Sequence, residues 1–444
     1  MDILLIDYQP RGATVNREQT GTYGSRFHAR GPAGIFLSRL KGGNVRLPLV
    51  SFSLAGAVFQ SGGHTVRMTH GMPEQGADVA FFATAMYHWR NDVAFLAALR
   101  ERHPDMRVGV AGAFSGAMPH LYRDVADFVV EGELEAAALA CAEGREDFSG
   151  TVVSHGFVDV NRLPLPDWSA FPLKRYSYRP MLPREPFLPV QTSRGCPRAC
   201  PFCPYIPAQG TRLRKRHVNT VERELRMLQE EHGVRSVLFR DPIFTVSARR
   251  TRDLCSRIAG LPGPLDWACE TTVDDLTAEL VDHMAGAGLR AVNLGVESAD
   301  MEVLEKSGKK RYNPEHLETM VERLHDRGVA VQAFYMLGLW DDTPETMERT
   351  LELARDLNTY TAQFCVATPF PGTAWFRLVR EHLAHEDWEQ FTEYRPVLEI
   401  PGATAGDIRR TRDRAYATYY FRPRWLLRHG FRALCGFFHG FRGM

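Results

Sequence analysis

A chain of 444 residues is too long for one ordinary hydrophobic core, and it predicts two or three domains. Its 54 basic and 53 acidic residues nearly cancel, which argues against a general nucleic-acid binder. No apolar run reaches the ~20 residues that a membrane span needs, and the first residues, MDILLID, lack the basic region of a signal peptide. The eight cysteines are scattered except for one tight group, so we expect a cytoplasmic protein with a metal site rather than disulfides.

Strands alternate with helical stretches over residues 1–150, which predicts a doubly wound parallel α/β sheet. The candidate strands are Ile3–Ile6, Thr65–Thr69, Val79–Ala83, Arg107–Ala111 and Asp127–Val130. A long polar and glycine-rich stretch, Arg11–Gly43, separates the first two strands. Loops of that length typically act as lids or binding segments, or are disordered. Prolines are frequent in residues 151–186, which predicts a linker.

Residues 187–380 show a second β-then-α alternation, which predicts a partial parallel β/α barrel with its functional groups at the carboxyl ends of the strands. The candidate strands are Leu188–Thr192, Ser236–Arg240, Leu265–Glu270, Ala291–Val296, Ala330–Leu337 and Thr361–Ala367, and a helix is expected at Thr220–Glu231. Residues 381–444 are rich in arginine and aromatic residues. We expect a helical cap on the barrel there, in preference to a membrane contact.

Three cysteines, Cys196, Cys200 and Cys203, lie on one short loop with the spacing C-x₃-C-x₂-C. They can ligate three irons of a [4Fe–4S] cluster and leave the fourth iron open to an exchangeable molecule. The alternative is a zinc site, which normally has four protein ligands when it is structural. His217 or a distant cysteine would have to supply the fourth ligand.

This loop, with the aromatic Phe202 just before the third cysteine, resembles the signature of the radical S-adenosylmethionine (radical SAM) superfamily. The resemblance implies a [4Fe–4S] cluster and SAM as cofactors. In that family the open iron chelates the methionine part of SAM, and reductive cleavage releases a 5′-deoxyadenosyl radical that abstracts hydrogen from a substrate. It also implies an electron donor such as flavodoxin or ferredoxin as a partner.

Four further segments resemble strand-end motifs of the same family. Their candidate cofactor-binding residues are Asp241 after the second strand, Gly295 and Glu297 in the fourth-strand segment GVES, and Gly338 and Leu339 after the fifth strand, followed by the segment TPFPGT at 368–373. The chain departs from the pattern at Thr272, where many relatives carry arginine, so the contact that this arginine makes is in doubt. Cys255, Cys269 and Cys365 are expected to be core residues.

The first domain resembles the cobalamin-binding domain of one branch of this superfamily, through Ala111–Ala113 and the segment DFVVEGE at 127–133. The cobalt-ligating motif D-x-H-x-x-G is absent, because Gln9 stands where its histidine would be. Cobalamin is therefore possible but not favoured.

The outline of the chain is similar to that of the radical diol-dehydratases of aminoglycoside biosynthesis, such as that of the apramycin pathway. The favoured expectation is radical dehydration of a sugar-like diol in antibiotic biosynthesis, a lyase reaction. Glu270 and Glu297 are the candidate catalytic residues, since carboxylates pair readily with amino-sugar ammonium groups. The alternatives are a cobalamin-dependent C-methyltransferase and a non-enzymatic cluster or zinc scaffold.

Overall fold

The computed structural model describes residues 1–10, 17–18, 44–420 and 422–441, with side chains to residue 433 in the last range. The predicted loop Arg11–Gly43 lies outside the described residues, apart from Arg17 and Glu18. Within the described ranges, no helix is long and apolar enough to cross a bilayer.

The first half of the chain contains a parallel sheet and the helices that cover it. Its strands are β1 (Asp2–Ile6), β2 (Val45–Arg46), β3 (Thr65–Thr69), β4 (Val79–Ala83), β5 (Arg107–Ala111), β6 (Phe128–Gly132), β7 (Val152–Gly156) and β8 (Ser177–Tyr178). Its helices are α1 (Val50–Ser61), α2 (Trp89–Arg102), α3 (Ala113–Ala117) and α4 (Leu134–Ala142).

Six of these strands form one parallel sheet in the order β3-β1-β4-β5-β6-β7. The connections reverse direction between β1 and β4, and ligands of doubly wound sheets bind at the carboxyl ends of strands near such a reversal. Here the Arg17 guanidinium is buried at this point, where it donates to the Ala83 carbonyl and to both carboxylate oxygens of Asp92. The prediction of a doubly wound parallel sheet is confirmed.

The second half of the chain repeats the β-then-α pattern. Its strands are β9 (Phe187–Val190), β10 (Ser193–Arg194), β11 (Arg214–Lys215), β12 (Ser236–Phe239), β13 (Asp266–Thr271), β14 (Leu289–Glu297), β15 (Ala330–Leu337) and β16 (Thr361–Val366). Its helices are α5 (Tyr205–Gln209), α6 (Val218–His232), α7 (Ala248–Ala259), α8 (Ala278–Gly286), α9 (Met301–Lys306), α10 (Pro314–Asp326), α11 (Pro344–Leu357), α12 (Ala374–Val379), α13 (Ala405–Tyr419) and α14 (Pro423–Phe441).

Six parallel strands in the order β16-β15-β14-β13-β12-β9 form the partial barrel that the sequence predicts. Helices such as α6, α10 and α11 bury one apolar stripe each against it, as their heptad-like spacing of leucine, valine and methionine requires. The proline-rich segment predicted as a linker is itself packed, with Trp168 and Tyr178 fully buried, and one continuous hydrophobic core joins both sheets.

The outer edge of β16 is covered by tyrosine hydroxyls from the end of α13. The backbone N–H of Phe364 donates to the Tyr416 hydroxyl (2.8 Å), and that of Ala362 donates to the Tyr420 hydroxyl (3.1 Å). Each hydroxyl donates in turn to the carbonyl of the same strand residue. The expected helical cap is thus present, and it satisfies the edge groups that a seventh strand would otherwise pair.

Candidate active site around the cysteine loop

The cysteine loop begins at a glycine that no other residue can replace without strain. Gly195 has φ of +79°, and a Cβ atom there would lie 2.1 Å from the Arg212 carbonyl oxygen. The loop then folds back on itself, with the Cys203 N–H donating to the Cys200 carbonyl (3.1 Å). The sequence folds tightly here because a side chain at position 195 is absent.

The three thiols lie in a partly buried environment. Burial raises the pKa of Cys196 and Cys200, and it raises the pKa of Cys203 to about 12, with the neighbouring thiols adding to the effect. A metal ion is the usual means of deprotonating such thiols. Within the described ranges, no three His, Cys, Asp or Glu side chains are arranged as a ready metal site, and His217 is exposed at the start of α6. The loop therefore offers three thiols and shows no fourth ligand of the kind a structural zinc site needs.

Glu297, at the end of β14, is held by a lysine that sequence reasoning did not single out. Lys309 Nζ donates to Glu297 Oε1 (2.7 Å) and to the Gly295 carbonyl (3.1 Å). Glu297 has φ of +71°, and a Cβ at Gly295 would come within 2.8 Å of its carboxylate. The glycine therefore makes room for this ion pair. The Lys309 ammonium also acts to lower the pKa of Cys200, which places its charge beside the cysteine loop.

Glu270, at the end of β13, is also engaged. Its carboxylate accepts hydrogen bonds from the Tyr205 hydroxyl (2.6 Å) and from the Arg240 guanidinium. Arg240 lies at the end of β12, and its guanidinium is 5.7 Å from the centre of the Tyr205 ring. The structure thus brings the predicted Glu270 together with two residues that were not predicted. Because Arg240 already balances the charge of the Glu270 carboxylate, Glu270 does not act as a free anion. A substrate would contact it together with Tyr205 and Arg240.

Asp241 is almost fully buried beside the strand that leads into the cysteine loop. Its carboxylate accepts from the Thr192 N–H (2.6 Å), the Thr192 hydroxyl (2.6 Å) and the Ser193 hydroxyl (2.7 Å). Burial raises its pKa despite these donors. In this structure Asp241 therefore fixes the chain just before the loop, and its predicted contact with the cofactor stays a prediction.

The remaining predicted residues lie in the cysteine loop and in the turn after β15. Phe202 is half-buried and packs against the barrel core. The backbone N–H groups of Gly338 and Leu339 both donate to Asp342 Oδ2 (2.9 Å each), which orders the turn after β15. At the position where relatives carry arginine, the Thr272 hydroxyl donates to Asp275 (3.0 Å).

Three cationic side chains that the sequence did not single out lie on the cysteine loop or next to the strand ends beside it. Arg198, within the cysteine loop, pairs with Asp275 at 2.8 Å. Arg240 and Lys309 are paired in the same way, with Glu270 and Glu297, so each of these three cations has a carboxylate partner. Spacing in the sequence gave no signal for these three residues, because each comes from a different loop or strand end.

A small cavity of about 60 Å³, lined by both polar and apolar groups, lies between the first sheet and the cysteine loop. The carboxyl ends of β4, β5 and β6 line one wall, and Gln191 and Arg194 line the other. Arg194, directly before Gly195, pairs with Glu135 and Glu133 at the start of α4. The cavity therefore connects the first domain to the root of the cysteine loop.

One ionisable group in this cavity has a strongly shifted pKa. Glu18 accepts from the Ser51 N–H (3.0 Å) and hydroxyl (3.2 Å). Burial, with help from the Glu135 carboxylate, raises the pKa of Glu18 to about 7.

Comparison with known proteins shows what this part of the chain resembles. Residues 190–354 match the model of the radical SAM superfamily. An uncharacterized methyltransferase of Pyrococcus horikoshii is 30% identical over 280 residues, which cover 62% of this chain and 60% of the relative. The cytidylyl-2-hydroxyethylphosphonate methyltransferase of Streptomyces wedmorensis is 25% identical over 344 residues, covering 67% and 64%. The chain thus spans under two thirds of the length of these relatives.

Two solved structures share the fold over most of the chain. The radical SAM methyltransferase TsrM of Kitasatospora setae, solved with tryptophan and a SAM analogue, superposes with a TM-score of 0.60 at 16% identity, covering 85% of this chain and 76% of TsrM. The cobalamin-dependent radical SAM enzyme OxsB, with aqua-cobalamin bound, gives a TM-score of 0.61 at 11% identity, covering 88% and 56%. At these identities the likeness concerns the fold.

Proposed function

Because residues 190–354 form the domain of a radical SAM enzyme, we propose that this protein is a C-methyltransferase that uses cobalamin as its methyl carrier. Dehydration of a diol, which the sequence favoured, finds no support among the relatives, most of which are named as methyltransferases. The comparisons therefore favour the alternative that the sequence left open.

The cysteine loop fits a [4Fe–4S] cluster. Cys196, Cys200 and Cys203 supply three thiols on one tight loop, and the Lys309 ammonium acts to lower the pKa of Cys200, which favours the thiolate form that ligates a metal. When bound, the cluster supplies the electron that cleaves the sulfonium C–S bond of SAM. The chain's own part is to hold these thiols on a tight loop and to orient SAM beside it.

The cobalamin part of the proposal is supported by the fold that this chain shares with TsrM and OxsB, which were solved with cobalamin bound. Gly112 and Gly132, with φ of +133° and +89°, leave the sheet edge without side chains at the cavity wall. The opposite wall carries the polar side chains of Gln191 and Arg194. Gln9, which stands where the cobalt-ligating histidine of other corrinoid proteins would be, donates to Asp7 Oδ1 (2.8 Å) and is not among the residues that line this cavity.

The residues around the loop have separable tasks. Asp241 holds Thr192 and Ser193 in place at the start of the loop. Two ion pairs, Lys309–Glu297 and Arg240–Glu270, keep charged side chains fixed at the strand ends beside the loop. These side chains therefore need no reorganisation when SAM or substrate enters.

The test begins with protein purified and reconstituted without oxygen, which should hold about four irons per chain. With SAM, a strong reductant and hydroxocobalamin, it should yield S-adenosylhomocysteine as well as 5′-deoxyadenosine, and a cobalamin chromophore should persist through gel filtration. Cys200→Ala should abolish both products. Cys365→Ala, half-buried on β16 and outside the loop, is the matched control and should retain them.

Two results would contradict the proposal in different ways. Formation of 5′-deoxyadenosine without S-adenosylhomocysteine, in protein that takes up no cobalamin, would reject methyl transfer and return dehydration to first place. Persistence of SAM cleavage in Cys200→Ala would reject the cluster assignment itself.

A further inference from the structure

Over residues 423–433, where the structure describes its side chains, the last helix, α14, contacts the barrel along one face. Trp425 is buried, and its indole N–H donates to the Tyr360 carbonyl (3.2 Å). One turn later, His429 is buried and its Nε2 lies 2.7 Å from the Asn358 carbonyl oxygen. These two anchors fix which side of the helix faces the protein and which side faces outward.

The outward side carries large apolar side chains. Leu427 is 89% exposed and Phe431 is 83% exposed, and Leu426 beside them is 46% exposed. Leu427 and Phe431 are four positions apart, so they lie on the same face. In the sequence, positions 434, 438 and 441 are also apolar and continue this helical spacing. Single exposed apolar residues are ordinary, but a row along one helix indicates an interaction surface.

The charge distribution indicates what that surface meets. After Asp413 the chain contains six arginines and no acidic residue, whereas residues 1–413 hold 48 basic and 53 acidic residues, a net charge of −5. The nearly neutral total therefore hides a basic tail. Arg424, in the first turn of α14, is exposed next to the apolar row.

We propose that α14 docks the protein on the surface of an anionic lipid membrane. The helix lies in the plane of the interface, Leu427 and Phe431 enter the boundary of the acyl chains, and arginines such as Arg424 meet the headgroup phosphates. A second copy of this chain is a poorer occupant, because a symmetric contact would bring the arginine-rich tails of both copies together. Arg414 and Arg428 are already paired with Glu348 and Glu322, so it is the exposed Arg424 whose charge the lipid phosphates complement.

This proposal is compatible with the helical cap that the sequence predicts. The cap uses the face with Trp425 and His429, and the membrane contact uses the face with Leu427 and Phe431. Neither of these exposed side chains is placed in the site around the cysteine loop, so membrane docking and SAM cleavage are measured separately.

The test is co-sedimentation of the reconstituted full-length holoenzyme, without oxygen, with vesicles of phosphatidylcholine alone or mixed with phosphatidylglycerol. Wild type should bind the anionic vesicles at low salt and be released as salt rises. Leu427→Asp/Phe431→Asp should lower this binding at least about tenfold, and Arg424→Glu should lower it several-fold. SAM cleavage without lipid should be unchanged in both.

The matched control is Leu378→Asp, which places the same charge at an apolar residue that is 75% exposed on α12. It should bind vesicles as wild type does. Equal binding by wild type and the double variant would overturn the proposal, as would the absence of any preference for anionic vesicles. If light scattering without lipid showed a dimer for wild type and a monomer for the double variant, the occupant of this surface would be a second copy of the chain instead.

Discussion

The Lys309 ammonium joins two residues of one strand, the Glu297 carboxylate at 2.7 Å and the Gly295 carbonyl at 3.1 Å. Lys309 reaches them from the segment between α9 and α10, where a Cβ at Gly308 would lie 2.6 Å from Pro201 of the cysteine loop. The ion pair therefore ties the end of β14 to the segment that packs on this loop. Gly295 and Glu297, both predicted to bind the cofactor, are thus held in position by the same lysine.

Lys309→Met should reduce 5′-deoxyadenosine formation at least about tenfold, because it leaves the largely buried Glu297 carboxylate without its cation. The double variant Lys309→Met/Glu297→Gln should lose less activity than the product of the fold-losses of the two single variants. The two substitutions act on the same ion pair, so their effects are not independent. Lys310→Met is the control, as Lys310 is 65% exposed and pairs with Asp274 at 3.4 Å. Equal losses at positions 309 and 310 would contradict a specific role for the Lys309–Glu297 pair.

Tyr205→Phe should keep the ring beside Arg240 and remove only the hydrogen bond to Glu270. We expect a weaker use of substrate, seen as a rise in its KM of several-fold, with little change in iron content. Tyr416→Phe removes a tyrosine hydroxyl at the edge of β16 and should lower thermal stability without this kinetic change. If the two variants behaved alike, Tyr205 would have a structural role only.

Gly195→Ala should prevent cluster assembly, because its Cβ would lie 2.1 Å from the Arg212 carbonyl oxygen in a backbone with positive φ. The measurement is iron and sulfide per chain after reconstitution. Gly233→Ala has a similar φ of +64° and nothing within 4 Å of its Cβ, so it should lose only about 1 kcal/mol of stability and keep its iron. Normal iron content in Gly195→Ala would show that the loop tolerates a shifted start.

The raised pKa of Glu18 predicts a dependence of stability on pH. Since its folded-state pKa of about 7 exceeds the ordinary value of 4.5, the fold binds this proton more tightly than the unfolded chain does. The contribution of Glu18 to stability is therefore full below pH 4.5 and declines by up to roughly 3 kcal/mol as the pH rises through about 7. Glu18→Gln should remove this decline in urea unfolding measured between pH 4.5 and 8. The exposed Glu74→Gln should retain it. A wild-type profile that matches that of Glu18→Gln would contradict a buried, protonated Glu18.

The strands of both sheets were predictable because buried parallel strands are short apolar runs bounded by turn residues. Four strands have the predicted bounds, Thr65–Thr69, Val79–Ala83, Arg107–Ala111 and Ala330–Leu337, and the other seven predicted strands differ by one or two residues at one or both ends. The strand Val152–Gly156 was missed, since its residues Ser154, His155 and Gly156 weaken the apolar pattern of a strand at the sheet edge.

The site was predictable only where chemistry follows sequence spacing. The cysteine loop is local, so its pattern is visible in the sequence. Lys309 and Arg240 reach their partners across 12 and 30 residues, and Arg198 reaches Asp275 across 77. Such pairs form because the sheet brings strand ends together, and a single sequence carries no mark of them.

The tyrosine hydroxyls on β16 have a consequence for any shortened form of this protein. A truncation before Tyr416 would leave the N–H and C=O groups of residues 362 and 364 unpaired at the exposed edge of the sheet. A strand of another molecule could then pair with this edge, and aggregation would follow. The C-terminal helices thus act as a guard against self-assembly, whatever else they bind.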